Sequence, residues 1–358
     1  MRQIGGYFPI APLTDSESGY LEALCPEEGE LRYLMSGRCA NYLALKDNAL
    51  SDTKKVAYVP LYTCETVIAP FVKAGYSLIF YDFKKDMTPV FDRSVLDKIS
   101  IISICGYYGF SRYDRDFVDE CVSRGIKVIE DTTHSIFSKD GIYPKCDYVV
   151  GSLRKWLGVA AGGFAIKTKG KFNLSSAPIH SEHIKMRSDG LKELTLLAKE
   201  APSPEVDEEK KKASELLWDS EMLLRRIFDC QESDEESVNI IKHFDYENLR
   251  KRRRENYSCL LENCPRSDKF SIVFDSLDSE TVPSHFTLYV EDRASFKEFM
   301  EERGVHATTY WPVGPEVNLT GHDDAAFIYN HVISLPCDQR YNREDMLYIC
   351  EVLSQYIR

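Results

Sequence analysis

The chain lacks most of the signatures that assign a function quickly. Eleven cysteines lie scattered from Cys25 to Cys350. None forms a CxxC pair, and no Cys/His cluster has zinc-ligand spacing, which excludes zinc-ribbon and thioredoxin-type readings. The expectation is reduced thiols in a cytoplasmic protein, most of them small core residues. No run approaches the roughly 18 apolar residues of a membrane span, and the opening MRQIGGYFPIAPL has no apolar secretory core, so neither membrane insertion nor secretion is expected. Three glycosylation-type triplets, among them Asn173-Leu174-Ser175, are then chance matches. Positive charge is scarce. Lys and Arg number 45 against 57 Asp and Glu, a net charge of −12. Such a chain has no general attraction for nucleic acid or an anionic membrane. The basic run at Arg250–Arg254 reads as one solvated helix face, with no nucleic-acid module beside it. There is no GxGxxG after a first strand and no GxxxxGK[ST], so a plain nucleotide-binding α/β domain is disfavoured.

What is present is an ordinary globular balance, 43% hydrophobic and 28% charged over 358 residues, long enough for two domains. Short apolar runs recur at Val56–Pro60, Ser77–Asp82, Ile101–Gly106, Lys127–Asp131, Tyr148–Gly151 and Gly163–Ile166. Helix-like segments such as 111–124 separate several of them. This is the pattern of a buried, mostly parallel sheet in a three-layer α/β/α domain. We assign that large domain to 1–250, with 190–250 a helical linker or insert. Strand patterns at 270–274 and 285–290 and helix patterns at 294–303 and 343–356 predict a smaller α+β domain over 251–358.

Several residues have the chemistry that pyridoxal phosphate (PLP) demands of a protein. It needs a lysine to form a Schiff base with the aldehyde, a carboxylate to keep the pyridine nitrogen protonated, donors for the phosphate, and a side chain at the ring. Lys155, just past the strand at 148–151, is the candidate lysine. Asp131, ending the strand at 127–131, is the candidate carboxylate, because sites in open α/β sheets lie off the carboxyl ends of strands. Ser152 and the turn Ser36-Gly37-Arg38, opening a helix, are candidate phosphate donors. His134 is placed to reach the phenolic oxygen. Gly158, Gly162 and Gly163 would let the backbone pass close to a ligand.

Taken in order, these pieces resemble the DegT/DnrJ/EryC1/StrS sugar aminotransferases, a family of fold-type-I PLP enzymes. Ser36-Gly37-Arg38-Cys39-Ala40 resembles the family's Ser-Gly-Thr phosphate turn, and Val59-Pro60-Leu61-Tyr62-Thr63 resembles the loop over the ring. Glu130-Asp131-Thr132-Thr133-His134 resembles its Glu-Asp-x-x-Gln. Lys155-Trp156-Leu157-Gly158 with Gly162-Gly163 resembles its Lys-x-Leu-Gly and Gly-Gly. Gly304-Val305-His306, Tyr310-Trp311-Pro312 and Ser334-Leu335-Pro336 resemble its small domain.

The resemblance implies a homodimeric aminotransferase with Lys155 as the catalytic lysine. Gly37, Arg38, Tyr62, Cys64, Asp131, His134, Ser152 and Lys155 would contact the cofactor. The implied reaction moves an amino group, commonly from glutamate, onto a nucleotide-linked keto sugar, as in surface-polysaccharide synthesis. No metal is implied. The chain departs from the pattern in places. His134 replaces the Gln and Arg38 the Thr, the Ser152-to-Lys155 spacing is two residues short, and the partner-subunit Asn-x-Arg segment is absent. The ring-stacking aromatic is missing near Cys64, leaving Tyr62 or Cys64 itself for the ring face. The lysine speaks against the lysine-free dehydratase branch. A PLP enzyme of another reaction type, or a member that binds PLP or sugar nucleotide without turnover, stays open.

Overall fold

The computed structural model describes residues 2–201 and 203–358. The strands are β1 (Glu30–Leu34), β2 (Val56–Pro60), β3 (Ser77–Phe83), β4 (Pro89–Val90), β5 (Ile101–Cys105), β6 (Lys127–Asp131), β7 (Tyr148–Ser152), β8 (Gly163–Lys167), β9 (Phe270–Ile272), β10 (Phe286–Val290) and β11 (Val332–Leu335). The helices are α1 (Tyr20–Leu24), α2 (Gly37–Asn48), α3 (Glu65–Lys73), α4 (Arg115–Ser123), α5 (Ser181–Leu197), α6 (Pro204–Ile227), α7 (Glu235–Lys242), α8 (Tyr246–Asn263), α9 (Arg293–Glu301), α10 (Asp323–His331) and α11 (Arg343–Tyr356). All six predicted strands of the α/β region form. The fold is α/β, with a mostly parallel sheet and a small antiparallel one, as expected. Among the described residues, no helix is long and apolar enough to cross a membrane.

The chain falls into two compact units, and they cut across the expected division at 250/251. One joins the first residues up to Gly6, Lys54–Cys146 and Glu247–Arg358; the other joins Tyr7–Thr53 and Asp147–Tyr246. In the first unit β2, β3, β5 and β6 run parallel, β5 pairing with β2 and β6, and β4 closes antiparallel on β3. Helices α3 and α4 make the β2–β3 and β5–β6 crossovers. Near-continuous apolar strands such as Ile101-Ile102-Ser103-Ile104 are buried, as strands covered on both faces must be. The same unit holds the antiparallel sheet β11-β10-β9 with α9, α10 and α11.

In the second unit β1, β8 and β7 pair antiparallel, and α2 packs on β7 and β8. Helices α5 and α6 pack closely. Gly190 permits this, since a Cβ there would come within 2.8 Å of Leu217 Cγ.

Alternation along β6 separates its two terminal acids. Glu130 is fully buried and accepts from the Tyr113 hydroxyl (2.9 Å) and the Tyr143 N–H (2.5 Å). Burial outweighs those bonds and pushes its carboxyl up from 4.5 to about 7. The folded chain therefore binds a proton that the unfolded chain releases. That contribution is complete below about pH 4.5 and is lost as pH rises through about 7, an effect of about 3 kcal/mol at 1.36 kcal/mol per unit. Urea midpoints of Glu130→Gln should show a flatter pH dependence than wild type over that window. Parallel curves would contradict the assignment.

Candidate active site

The second unit carries Lys155 on a short turn. Strand β7 is buried along its length and pairs with β8 in the register Ser152↔Gly163. A single 3-10 turn, Leu153–Lys155, follows. The Leu153 N–H donates to the Gly162 carbonyl (2.7 Å), and the Trp156 and Leu157 N–H groups donate to the Leu153 carbonyl (2.8 and 3.0 Å). Leu153, Trp156 and Leu157 are buried while Lys155 is exposed. Three apolar anchors thus hold the turn, and the lysine is the residue it presents to solvent.

The expected phosphate donors adjoin this turn. Ser36 caps α2, its hydroxyl accepting from the Cys39 N–H at 3.2 Å. Gly37 lies against β7, where a Cβ would stand 3.0 Å from the Ser152 Cβ. Gly37, Arg38 and Ser152 are therefore brought together at a helix N-terminus, where first-turn N–H groups favour an anion. The Arg38 guanidinium sits 5.3 Å over the Phe228 ring. Its backbone N–H, not its side chain, is what it offers there.

The glycines after Lys155 lie where added side chains would meet protein atoms. A Cβ at Gly158 would stand 1.7 Å from the Pro9 carbonyl oxygen, at Gly162 2.9 Å from the Arg154 nitrogen, and at Gly163 2.1 Å from the Ser36 carbonyl oxygen. Each lies close against neighbouring backbone.

The first unit carries the other candidates. Asp131 ends β6, and its carboxylate accepts from the Thr133 N–H at 2.9 Å. Burial pushes its carboxyl above the ordinary range, against the pull of the Thr133 bonds. Among the described residues no cation pairs with it. His134 is buried in a cluster of rings: Tyr108 and Trp311 each at 5.5 Å, Tyr310 at 5.6 Å and His285 at 6.2 Å. Tyr62 joins the cluster from the β2 side. Its hydroxyl is 3.0 Å from that of Tyr108, and its ring is 5.1 Å from Trp311 and 5.5 Å from Tyr107. Burial drives the Tyr62 hydroxyl well above its ordinary pKa, so it stays protonated. Cys64 precedes α3 and accepts from the Thr66 hydroxyl at 3.1 Å; it supplies no ring.

Tyr62 and His134 are thus linked through Tyr108 and Trp311. Sequence reasoning noted Tyr310-Trp311 only as part of a resemblance and did not place either at the site. Both Tyr108 and Trp311 hold left-handed backbone, φ 56° and 58°. Non-glycine residues there cost roughly 1–3 kcal/mol each and concentrate at functional sites.

No family model matches this chain, and no curated protein matches it. Solved structures do. DesV of S. venezuelae, in complex with a ketimine intermediate, superposes with a TM-score of 0.67 at 17% identity, covering 99% of this chain and 91% of that one. Helicobacter pylori PseC, an aminotransferase involved in the biosynthesis of pseudoaminic acid, gives 0.64 at 13% identity, covering 99% of each. A DegT DnrJ EryC1 StrS aminotransferase from Brucella abortus gives 0.58 at 13%, covering 92% and 86%. The chain has the fold of these aminotransferases.

Proposed function

We propose that this chain is a PLP-dependent sugar aminotransferase. The observation that carries the reading is the Lys155 turn: an exposed lysine three residues after Ser152, with Ser152 against the N-terminus of α2. The residues fit the cofactor. A carboxylate with no cation beside it among the described residues, Asp131, suits a pyridinium, and the α2 first turn with Ser152 suits a phosphate.

Bound PLP would supply an aldehyde for a lysine amine and a ring that takes up electrons when a substrate C–H bond breaks. The chain's own residues would do the rest. Lys155 would hold the aldehyde carbon covalently and, once released, carry the proton to and from the substrate carbon. Asp131 would keep a proton on the ring nitrogen. Gly37, Arg38 and Ser152 would bind the phosphate through N–H and hydroxyl donors. His134 would donate to the phenolic oxygen, and Tyr62 would pack at the ring. We infer glutamate as donor, a nucleotide-linked keto sugar as acceptor, and a homodimer as the working form.

The test is a pair of half-reactions. Protein reconstituted with PLP should show a visible band that glutamate abolishes, with 2-oxoglutarate released in equal amount. A nucleotide-linked keto sugar should restore the band and yield the amino sugar. Band formation without release of the corresponding 2-oxo acid, across a panel of amino acids and keto sugars, would leave a binding protein without turnover. Absence of the band would defeat the reading entirely.

A further inference from the structure

Lys155 follows Arg154, and the two side chains have opposite fates. Lys155 is exposed, whereas the Arg154 side chain is only 13% exposed. Arg154 Nη2 pairs with Glu221 Oε1 on α6 at 2.9 Å. Arg187 Nη1 on α5 pairs with the same oxygen at 2.8 Å. Arg187 also donates from Nε to the Ala160 carbonyl (2.9 Å) and from Nη1 to the Ser220 hydroxyl (3.3 Å). Ala160 lies in the loop that leaves Lys155. The α5–α6 pair therefore grips this loop on both sides of the lysine, at Arg154 before it and at Ala160 after it. One carboxylate oxygen joins the two grips.

The geometry points to Glu221 as a positioning residue for Lys155: through Arg154 it fixes the turn that presents the amine, and its carboxylate supplies the negative charge beside that turn. This rests on the reading of Lys155 as the cofactor lysine. It adds a residue 66 positions away, on a helix outside every motif that suggested that reading.

Among the described groups in electrostatic contact with Arg154 and Arg187, Glu221 is the carboxylate; on α7, Glu236 lines the Val159–Ala160 side of the loop and pairs with Lys192 at 3.6 Å. Helix α5 contributes Arg187 and His183, with His180 at its cap; α2 contributes Arg38 and Cys39; the N-terminal segment contributes Tyr7. Burial raises the Tyr7 hydroxyl and the Cys39 thiol, keeping both uncharged, and burial lowers His183 so that it is neutral. Burial would also raise the Glu221 carboxyl, but Arg154 and Arg187 outweigh it and hold the group at about 2. Glu221 is thus the anion of this set, with Lys155 within its electrostatic reach.

The experiment uses the full chain without cofactor, so that it does not depend on activity. Competitive acetylation of Lys155, followed by mass spectrometry across roughly pH 7 to 11, gives the pH at which its amine loses the proton. Lys185 and Lys251, both with 76% exposed side chains, serve as internal references. Removing an opposite charge favours the neutral amine, so Glu221→Gln should lower the Lys155 midpoint by about one pH unit. Arg187→Met should raise it, because Glu221 Oε1 then keeps one fewer cation. Glu221→Asp should return the midpoint toward wild type. A purely structural clamp would shift both charge variants in one direction. Two shifts of the same sign, or an unchanged midpoint in folded Glu221→Gln, would overturn the proposal. If Glu221→Gln does not fold, Arg187→Met and Glu221→Asp decide: a midpoint raised in the first and near wild type in the second is expected, and a lowered or unchanged midpoint in folded Arg187→Met overturns the proposal. Failure of wild-type protein to bind PLP would defeat the functional reading without touching this measurement.

Discussion

Lys155→Ala should remove the visible band of PLP-loaded protein and cut amino transfer by about 10⁴-fold or more, since a positioned acid–base group alone supplies about 10²–10⁴-fold. The fold should survive. Lys155 is exposed, and the contacts that shape its turn come from the backbone of Leu153, Trp156, Leu157 and Gly162. Substitutions at such surface positions change stability by about 0.5 kcal/mol or less. The urea midpoint should therefore stay near the wild-type value while the chemistry is lost.

Small amines sharpen the result. If the lysine acts as a proton carrier, methylamine in solution should restore part of the proton transfer in Lys155→Ala, more so as pH rises and more amine is neutral. Retained activity in the variant would show that another group carries the proton. An unfolded variant would show that the turn depends on the lysine itself.

How much of this was legible in the sequence depended on the range of each interaction. The parallel strands could be read because burial on both faces leaves short apolar runs, as in Ile101-Ile102-Ser103-Ile104. Strand β1 could not. Its residues Glu30-Leu31-Arg32-Tyr33-Leu34 carry two charges and are mostly half-buried, and only pairing with β8 makes them a strand. Division of the chain was illegible for a related reason. Residues 54–146 join 247–358 in one unit, and chain order gives no sign of that return.

Local motifs singled out Asp131, Ser152, Lys155 and the turn at Gly37 as candidates, because each lies at or just past a strand end or at a helix start. Long-range partners left no mark. Arg154 meets Glu221 and Arg187 only once α5 and α6 are packed, and nothing near position 221 announces it. Trp311 stood in a recognised segment, but its place between Tyr62 and His134 depends on a left-handed backbone that side-chain identity does not reveal.

Acid should destabilise this protein through His183, and His183→Leu should remove that sensitivity. The ring is fully buried on α5, and neither nitrogen has a hydrogen-bond partner among the described residues. Burial first, then the neighbouring Arg154 and Arg187 charges, lower its pKa from 6.5 to about 3, with Glu221 opposing. The sign follows from which state takes the proton. Between these values the unfolded chain binds it and the folded chain does not. The contribution of His183 is thus complete above about pH 6.5 and is lost as pH falls through about 3, at 1.36 kcal/mol per unit, for a total of about 5 kcal/mol. Leucine keeps a similar bulk and takes no proton. It also removes two buried polar atoms that gain nothing from the fold. At pH 7.5 the variant should match wild type or exceed it slightly, and at pH 4 it should be more stable by several kcal/mol. Glu130 acts with the opposite sign, gaining as pH falls from 7 to 4.5. Only the difference between wild type and His183→Leu, measured at each pH by urea unfolding, isolates the histidine. A constant difference from pH 7.5 to pH 4 would show that His183 is protonated or solvated in the folded chain, and the electrostatic picture of the Arg154–Glu221–Arg187 cluster would fall with it.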